Sequence, residues 1–374
     1  MRRLKKICVV GTRGIPDLQG GVEKRVENIY TRISEFFKIH VFNRSPYFKK
    51  KPSFYKNVIL HYVWCPRNKY FEAPVHTLIS IFLAKFYSPD ILHFQAIGPC
   101  VFLPFARFLG FKKIVVTHHG PDYLRKKWKG LAKVILKLGE YFASKFADKI
   151  IVVSNYIKKH VEEKYKRNDL VVIPNGINLH ELVESTETLK RYGLEPKKYI
   201  FTACRFVPEK GLHDLIEAYR RLNNPEFKLV ITGDADHESN YSKNLKKLVS
   251  QTQRVVLTGV LYGRQLQELY SNAKLFVLPS YYEGLPLALL EALSYGLDVV
   301  VSDIPAHREV PLPEYLYFPA GDVEKLKEKI VEVYNKGMNE EEKNRIVSYL
   351  KENHNWDSIA NKVFNFYCEL LEEK

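Results

Sequence analysis

The chain has no CxxC pair among its five cysteines, no apolar run long enough to span a membrane, and few acids in its first half. Each shortage excludes something. Cys8, Cys65, Cys100, Cys204 and Cys368 are scattered and odd in number, which fits neither a disulfide framework nor a zinc site. The stretches "TLISIFLAKFY" and "VFLPFARFLG" are short and carry Lys85 or Arg107. The basic start "MRRLKK" runs into "ICVV", too brief for the apolar core of a secretion signal. These features lead us to expect a cytosolic chain with packed thiols. Internal repeats and low-complexity segments are absent as well.

The shortage of acids is local. Residues 1–175 hold 33 Lys and Arg against 12 Asp and Glu, whereas residues 176–374 hold 25 against 30. The formal charge of +16 therefore belongs to the first half. Such asymmetry fits an anionic partner: a membrane surface, nucleic acid or a phosphorylated acceptor. A merely solvated, Lys-rich surface has the same composition. At 374 residues and 46% apolar content, the chain can bury two cores.

Apolar β-like runs alternate with helical stretches through both halves. "KKICVVG", "FKIHVFNR", "NVILHYV", "DILHFQ", "KIVVTHH" and "KIIVVSN" read as strands, with helices at 21–36, 74–87, 98–110 and 128–146. After "LVVIPNGIN" and a polar stretch the alternation restarts at "YIFTACR" and continues through "FKLVITG", "RVVLTGV", "AKLFVLPS" and "DVVVSD". Helices are expected at 211–222, 240–250, 263–272 and 286–296, and near 323–336, 339–352 and 355–372. Val- and Ile-rich strands separated by helices predict an α/β chain of two doubly wound, Rossmann-like domains, 1–175 and 176–354. The last helix, 355–374, is expected to pack back on the first domain. Ligands of such sheets bind at the carboxyl ends of the strands, so a cleft between the domains is the expected site.

Five places carry chemistry. "GTRGIPDLQGGVE" follows the first strand, with Gly11, Gly14, Gly20 and Gly21 in a spacing that is neither a dinucleotide fingerprint nor a P-loop. Arg205 and Lys210 in "RFVPEKG" are two cations past a strand end and before a helix, suited to a diphosphate. In "EGLPLALLE", Glu283 precedes a helix start at Gly284, Leu285, Pro286 and Leu287, and Glu291 lies two turns in. Helix-start N–H groups take phosphate, and carboxylates on either side take a sugar and a ribose. "GDADHE" contains Asp234-x-Asp236, which has the makings of a Mg²⁺ site together with phosphate oxygens. Lys112 to Lys137 forms the fifth stretch. It carries eight cations and one acid, with Trp128, Leu131, Val134, Ile135, Leu138 and Tyr141 recurring at helical spacing. We expect that stripe to pack on the sheet and the charges to attract a membrane or an acceptor.

The second half resembles the donor-binding domain of retaining GT-B glycosyltransferases of glycosyltransferase family 4. The matching residues are "RFVPEKG", the Gly233-Asp234 of "ITGDAD", "EGLPLALLE", "NGIN" and "FPAGD". The opening "GTRGIP…GGVE" is similar to a subgroup containing rhamnosyl- and hexosyltransferases of surface-polysaccharide synthesis. The resemblance implies that Arg205 and Lys210 neutralise a leaving diphosphate and that Glu283 bonds the donor sugar. It further implies that Gly233 and the backbone of 284–287 meet the nucleotide, and that Glu291 holds the ribose. Gly20 and Gly21 would close over the diphosphate or acceptor.

From the first domain, "VVTHHG" is similar to the family's Thr-x-His, which implies that His119 steadies charge at the anomeric carbon, with His118, Asp122 and Arg13 as weaker acceptor-side candidates. The family places Gly-Asp in a loop that holds no metal, so neither metal nor cofactor is expected. The implied partners are a nucleotide sugar, a glycan or lipid-linked acceptor and an anionic membrane surface, without nucleic acid. The location would be cytoplasmic, extending to the inner face of the membrane. A sugar-nucleotide epimerase or a phosphorylase on the same architecture, and a basic nucleic-acid-binding protein, are the rival readings.

Overall fold

Eight strands come from the first part of the chain: β1 Lys6–Val10, β2 Lys38–Arg44, β3 Phe54–Tyr55, β4 Val58–Val63, β5 Ile91–Gln95, β6 Ile114–His118, β7 Lys149–Val152 and β8 Leu170–Val172. They form one sheet in the order β3-β4-β2-β1-β5-β6-β7-β8, parallel except for β3. β1, β5 and β6 are buried almost throughout, as expected of strands covered on both faces. The structure is a computed structural model describing residues 3–68, 70–124, 130–179, 181–223 and 226–373. It divides into two compact units: one runs to Gly176 and resumes at Asn353, and the other is Ile177–Glu352.

In the first unit the helices are α1 Gly21–Ile33, α2 Glu72–Phe86, α3 Leu103–Phe108, α4 Gly130–Phe146 and α5 Asn155–Tyr165. The right-handed crossover rule puts α2 to α5, which advance toward β8, on one face and α1 on the other. The second unit adds α6 Glu187–Arg191, α7 Leu212–Arg220, α8 Asn240–Ser250, α9 Gly263–Asn272, α10 Leu287–Ser294, α11 Val323–Lys336 and α12 Glu340–Asn353. Its strands are β9 Tyr199–Ala203, β10 Lys228–Thr232, β11 Val255–Gly259, β12 Leu275–Leu278, β13 Asp298–Ser302 and β14 Tyr317–Phe318, all parallel in the order β11-β10-β9-β12-β13-β14. Finally α13, Trp356–Glu372, returns to the first unit and packs on α1, with Phe36 and Phe37 against Phe364 and Tyr367. His354 is tied to the carbonyl of Asn175 at 2.8 Å, joining the outgoing and returning segments.

Local differences from the sequence reading have local causes. The helix expected at 98–110 splits into a 3₁₀ turn, Pro99–Phe102, and α3, because each piece has a proline in its first turn. The small antiparallel β3–β4 hairpin went unforeseen. Its turn residues Lys56 and Asn57 both have positive φ, 44° and 64°, without the usual glycine. Pro286 is the residue before α10 rather than inside it, with an extended ψ of 101°.

The larger correction concerns α4. The stripe expected to pack on the sheet faces outward, with Leu131 74% and Val134 58% exposed. Ile135, Leu138 and Tyr141 are exposed as well. The helix instead buries Gly139, Glu140 and Ala143. Gly139 allows this close approach, since a Cβ there would lie 2.2 Å from the carbonyl oxygen of Ile97. The basic run Arg125, Lys126, Lys127, Trp128 and Lys129 lies outside the described residues.

Candidate active site

In the second unit, two loops at the carboxyl end of the sheet meet. The segment after β9 turns through Pro208–Lys210 to Gly211, whose φ is +64° and which has the carbonyl of Pro279 where a Cβ would be. Tyr281 donates its backbone N–H to Glu209 at 2.9 Å. This contact brings Lys210 against Glu283. Their ammonium and carboxylate hydrogen-bond directly, and Ser280 Oγ donates to the same Oε1 at 2.8 Å. Burial alone would raise the Glu283 pKa, but the Lys210 charge and these hydrogen bonds hold it below the ordinary value. The carboxylate is thus a fixed anion beside a fixed cation.

Two residues that the sequence reading missed stand behind Glu283. Ser302 Oγ donates to the carbonyl of Ser280, and His307 Nδ1 lies 2.7 Å from the carbonyl of Ser302. That geometry makes Nδ1 the donor and leaves Nε2 as a buried nitrogen with no hydrogen-bond partner. Burial lowers the His307 pKa to about 4, so the ring stays neutral. A serine at a strand end and a histidine past it carry no sequence signal of this arrangement.

Arg205 does not join Lys210. Its guanidinium donates to Asp236 at 2.7 Å, while Asp234 pairs with Lys246 at 2.9 Å. The two aspartates of the D-x-D therefore serve different cations. Gly233, at φ +129°, lies on the carbonyl of Cys204, where a Cβ would come within 2.0 Å. Leu285, Pro286 and Leu287 are buried at the start of α10, where first-turn N–H groups lack intrahelical acceptors. Gly284 precedes them. Glu291, one turn along α10, accepts from Tyr270 OH at 3.3 Å, and Tyr270 stacks on Tyr295.

In the first unit, the glycine loop holds itself together. Arg13 pairs with buried Glu23 of α1 at 3.0 Å, and its backbone N–H donates to the same carboxylate at 3.1 Å. The Arg13 charge outweighs burial and lowers the Glu23 pKa. Gly20, at φ +139°, leaves room for this pair: a Cβ there would sit 2.2 Å from Glu23 Oε2. Gly21 is exposed at the first turn of α1.

The two histidines after β6 part company. His118 is buried, with Nδ1 accepting from Gly120 N–H at 3.0 Å and Nε2 donating to Glu140 at 2.9 Å. Both of its nitrogens are used inside the fold, which leaves none for an acceptor. His119 is half-buried and donates from Nε2 to Gln95 Oε1 at 3.1 Å. Gln95 in turn reaches Tyr30, another contact without a sequence signature. Asp122 opens the 3₁₀ turn Asp122–Leu124.

Residues 184–363 match the model of "Glycosyl transferases group 1", and residues 19–181 that of "Glycosyltransferase Family 4". The UDP-Gal:alpha-D-GlcNAc-diphosphoundecaprenol alpha-1,3-galactosyltransferase of Escherichia coli is 31% identical over 241 residues, 61% of this chain and 62% of the enzyme's own length. An uncharacterized glycosyltransferase of Methanocaldococcus jannaschii is 27% identical over 94% of this chain and 95% of its own. Among solved structures, sucrose-phosphate synthase from Thermosynechococcus elongatus superposes with a TM-score of 0.82 at 19% identity, covering 99% of this chain and all of the other. That likeness is one of fold.

Proposed function

Since the chain belongs to the glycosyltransferases that these two family models describe, we propose that it moves a hexose-type sugar from a nucleoside-diphosphate sugar to a glycan or lipid-linked acceptor, with retention and without a metal. The observation that carries this reading is the Lys210–Glu283–Ser280 cluster beside the start of α10. A fixed cation beside helix-start N–H groups suits a diphosphate that gains charge, and a fixed carboxylate suits sugar hydroxyls that need an acceptor, which supports this reading.

In the reaction, the bond from the anomeric carbon to the diphosphate oxygen breaks as the acceptor oxygen bonds the same carbon from the same face. The departing diphosphate oxygen takes the acceptor's proton. Lys210 and Arg205 stabilise the charge on that oxygen, Glu283 holds the sugar, and Glu291 the ribose. His119 steadies the positive charge at carbon, with Arg13 and Asp122 toward the acceptor and Gly20 and Gly21 closing the loop. The name of the Escherichia coli relative contains a UDP sugar and a diphosphoundecaprenol acceptor, which supports UDP and a lipid-linked acceptor here. On this reading the chain works in the cytoplasm at the inner face of a membrane.

The test is a thermal titration with UDP, dTDP, GDP, ADP and NAD, in EDTA and again with Mg²⁺. A bound nucleotide at 100 times its Kd adds about 2.7 kcal/mol. Stabilisation by UDP in EDTA is the expected result. Stabilisation that requires Mg²⁺ would overturn metal independence and turn attention to Asp234 and Asp236, and no response to any of the five would overturn the donor site.

A further inference from the structure

Two helices of the first unit bury carboxylates and turn large apolar side chains outward. α2 buries Glu72, His76, Thr77 and Ser80 beside Ile81 and Ala84, and exposes Leu78, Phe82 and Phe86, the last at 72%. α4 buries Gly139 and Glu140 and exposes Leu131, Val134, Ile135 and Leu138. Both arrangements are anchored. Glu72 pairs with Arg44 at 2.6 Å, and Glu140 accepts from His118, Tyr123, Lys164 and Tyr165 at 2.7–2.9 Å. The fold therefore specifies the outward apolar faces, because reversing either helix would strand a paired carboxylate in solvent and its partners in the core.

The faces are neighbours. α2 and α4 both pack on the turn Pro99–Phe102, and α4 also packs on α3, which ends in Phe108 at 86% exposure. The exposed charges set among them are cations, Lys85, Lys133 and Lys137. From Ile91 to Gly139 the sequence has a single acid, Asp122. Soluble surfaces rarely gather this many large apolar side chains, and such gatherings mark interaction sites. Apolar side chains interleaved with lysine suit the boundary between headgroups and acyl chains. Two copies of the face would instead set lysine against lysine. No helix among the described residues is long and apolar enough to cross a membrane.

We propose that the outer face of α2, α3 and α4 is a membrane-docking surface that seats the first unit on an anionic phospholipid bilayer. Leu78, Phe82, Phe86, Phe108, Leu131 and Val134 enter the acyl boundary, and Lys85, Lys133 and Lys137 meet the lipid phosphates. The proposal deepens the membrane location in the functional reading, but it does not depend on the donor chemistry.

Flotation of the full chain with vesicles tests it, comparing phosphatidylcholine alone with phosphatidylcholine plus phosphatidylglycerol, at low and high salt. Binding to the anionic vesicles is expected, weakening as salt rises. L131S/V134S and K133E/K137E should each weaken binding about tenfold or more. Both variants should keep the wild-type melting temperature and nucleotide response, which separates loss of docking from loss of fold. Equal binding to both vesicle types, or binding that neither variant weakens, would overturn the proposal. So would a dimer in light scattering that L131S/V134S dissolves. A chain that docks but ignores every nucleotide would leave the surface standing and sink the donor site.

Discussion

α2 and α4 of the first unit bury carboxylates and histidine and turn leucine and phenylalanine outward, whereas α7 and α10 of the second bury mainly apolar side chains, with Asp214 of α7 the one buried charge between them. The two sheets are of the same parallel kind, so sheet topology does not decide where polar groups go. In the second unit buried Glu268 and Asp298 are held by backbone N–H groups, and the ion pairs Lys210–Glu283 and Arg205–Asp236 lie on loops. In the first, polar groups are threaded through the interior, at Arg44–Glu72, His93–Tyr30–Tyr367 and Glu140 with its donors. Interior polar networks make a unit sensitive to protonation, while a loop cluster makes it sensitive to a ligand.

Acid should separate the units most strongly. Burial pushes the pKa of His40 down to about 4, and those of His76 and His93 to about 3. The second unit has only His307 of this kind among its described residues, at about 4. Each ring stays neutral in the fold and takes a proton in the unfolded chain below about pH 6.5. Its contribution is complete above that pH and is lost as the pH falls toward the folded value. At about 1.4 kcal/mol per pH unit for each histidine, the first unit should lose roughly 4 kcal/mol more than the second between pH 6.5 and 5. Trp64, Trp128 and Trp356 all belong to the first unit's sequence, so tryptophan fluorescence follows that unit. Hydrogen exchange follows both. Simultaneous loss, or earlier loss of the second unit, would remove the distinction.

Lys210→Ala strikes the other side of the comparison. It removes the cation from a buried carboxylate and from the diphosphate together. Turnover should fall by a factor on the order of 10²–10³, with the first unit's fluorescence melt unchanged. A near-normal kcat would take Lys210 out of the leaving-group site.

Much of this was legible in the sequence. Val- and Ile-rich runs marked the parallel strands because strands covered on both faces need no alternation. Arg205, Lys210 and Glu283 stood out because each falls past a strand end or before a helix start, and Glu291 because it lies inside the helix that follows Glu283. The pairing of these residues was not legible. That Arg205 leans on Asp236 follows from two loops meeting in space, and Ser280, Ser302, His307 and Gln95 look like ordinary strand-end residues. The inversion of α4 was hidden for a different reason. An apolar stripe has the same period whether it faces a core or a bilayer, and only the donors around Glu140, drawn from three elements, fix which side goes in.

The smallest expected effect tests whether Asp236 holds Arg205 in reserve. The pair is 24% and 23% exposed, so Asp236→Asn should change stability by less than about 1 kcal/mol. Release of the guanidinium should tighten nucleoside diphosphate binding severalfold, because an arginine freed from one carboxylate offers its paired N–H donors to phosphate. Calorimetric titration at low and high salt reads the change, and the gain should shrink with salt. Unchanged affinity would mean that Arg205 stays out of the phosphate site, leaving Lys210 and the first turn of α10 to hold the diphosphate. The charge that answers a ligand in the second unit would then be a single ammonium, against the several buried groups that answer protons in the first.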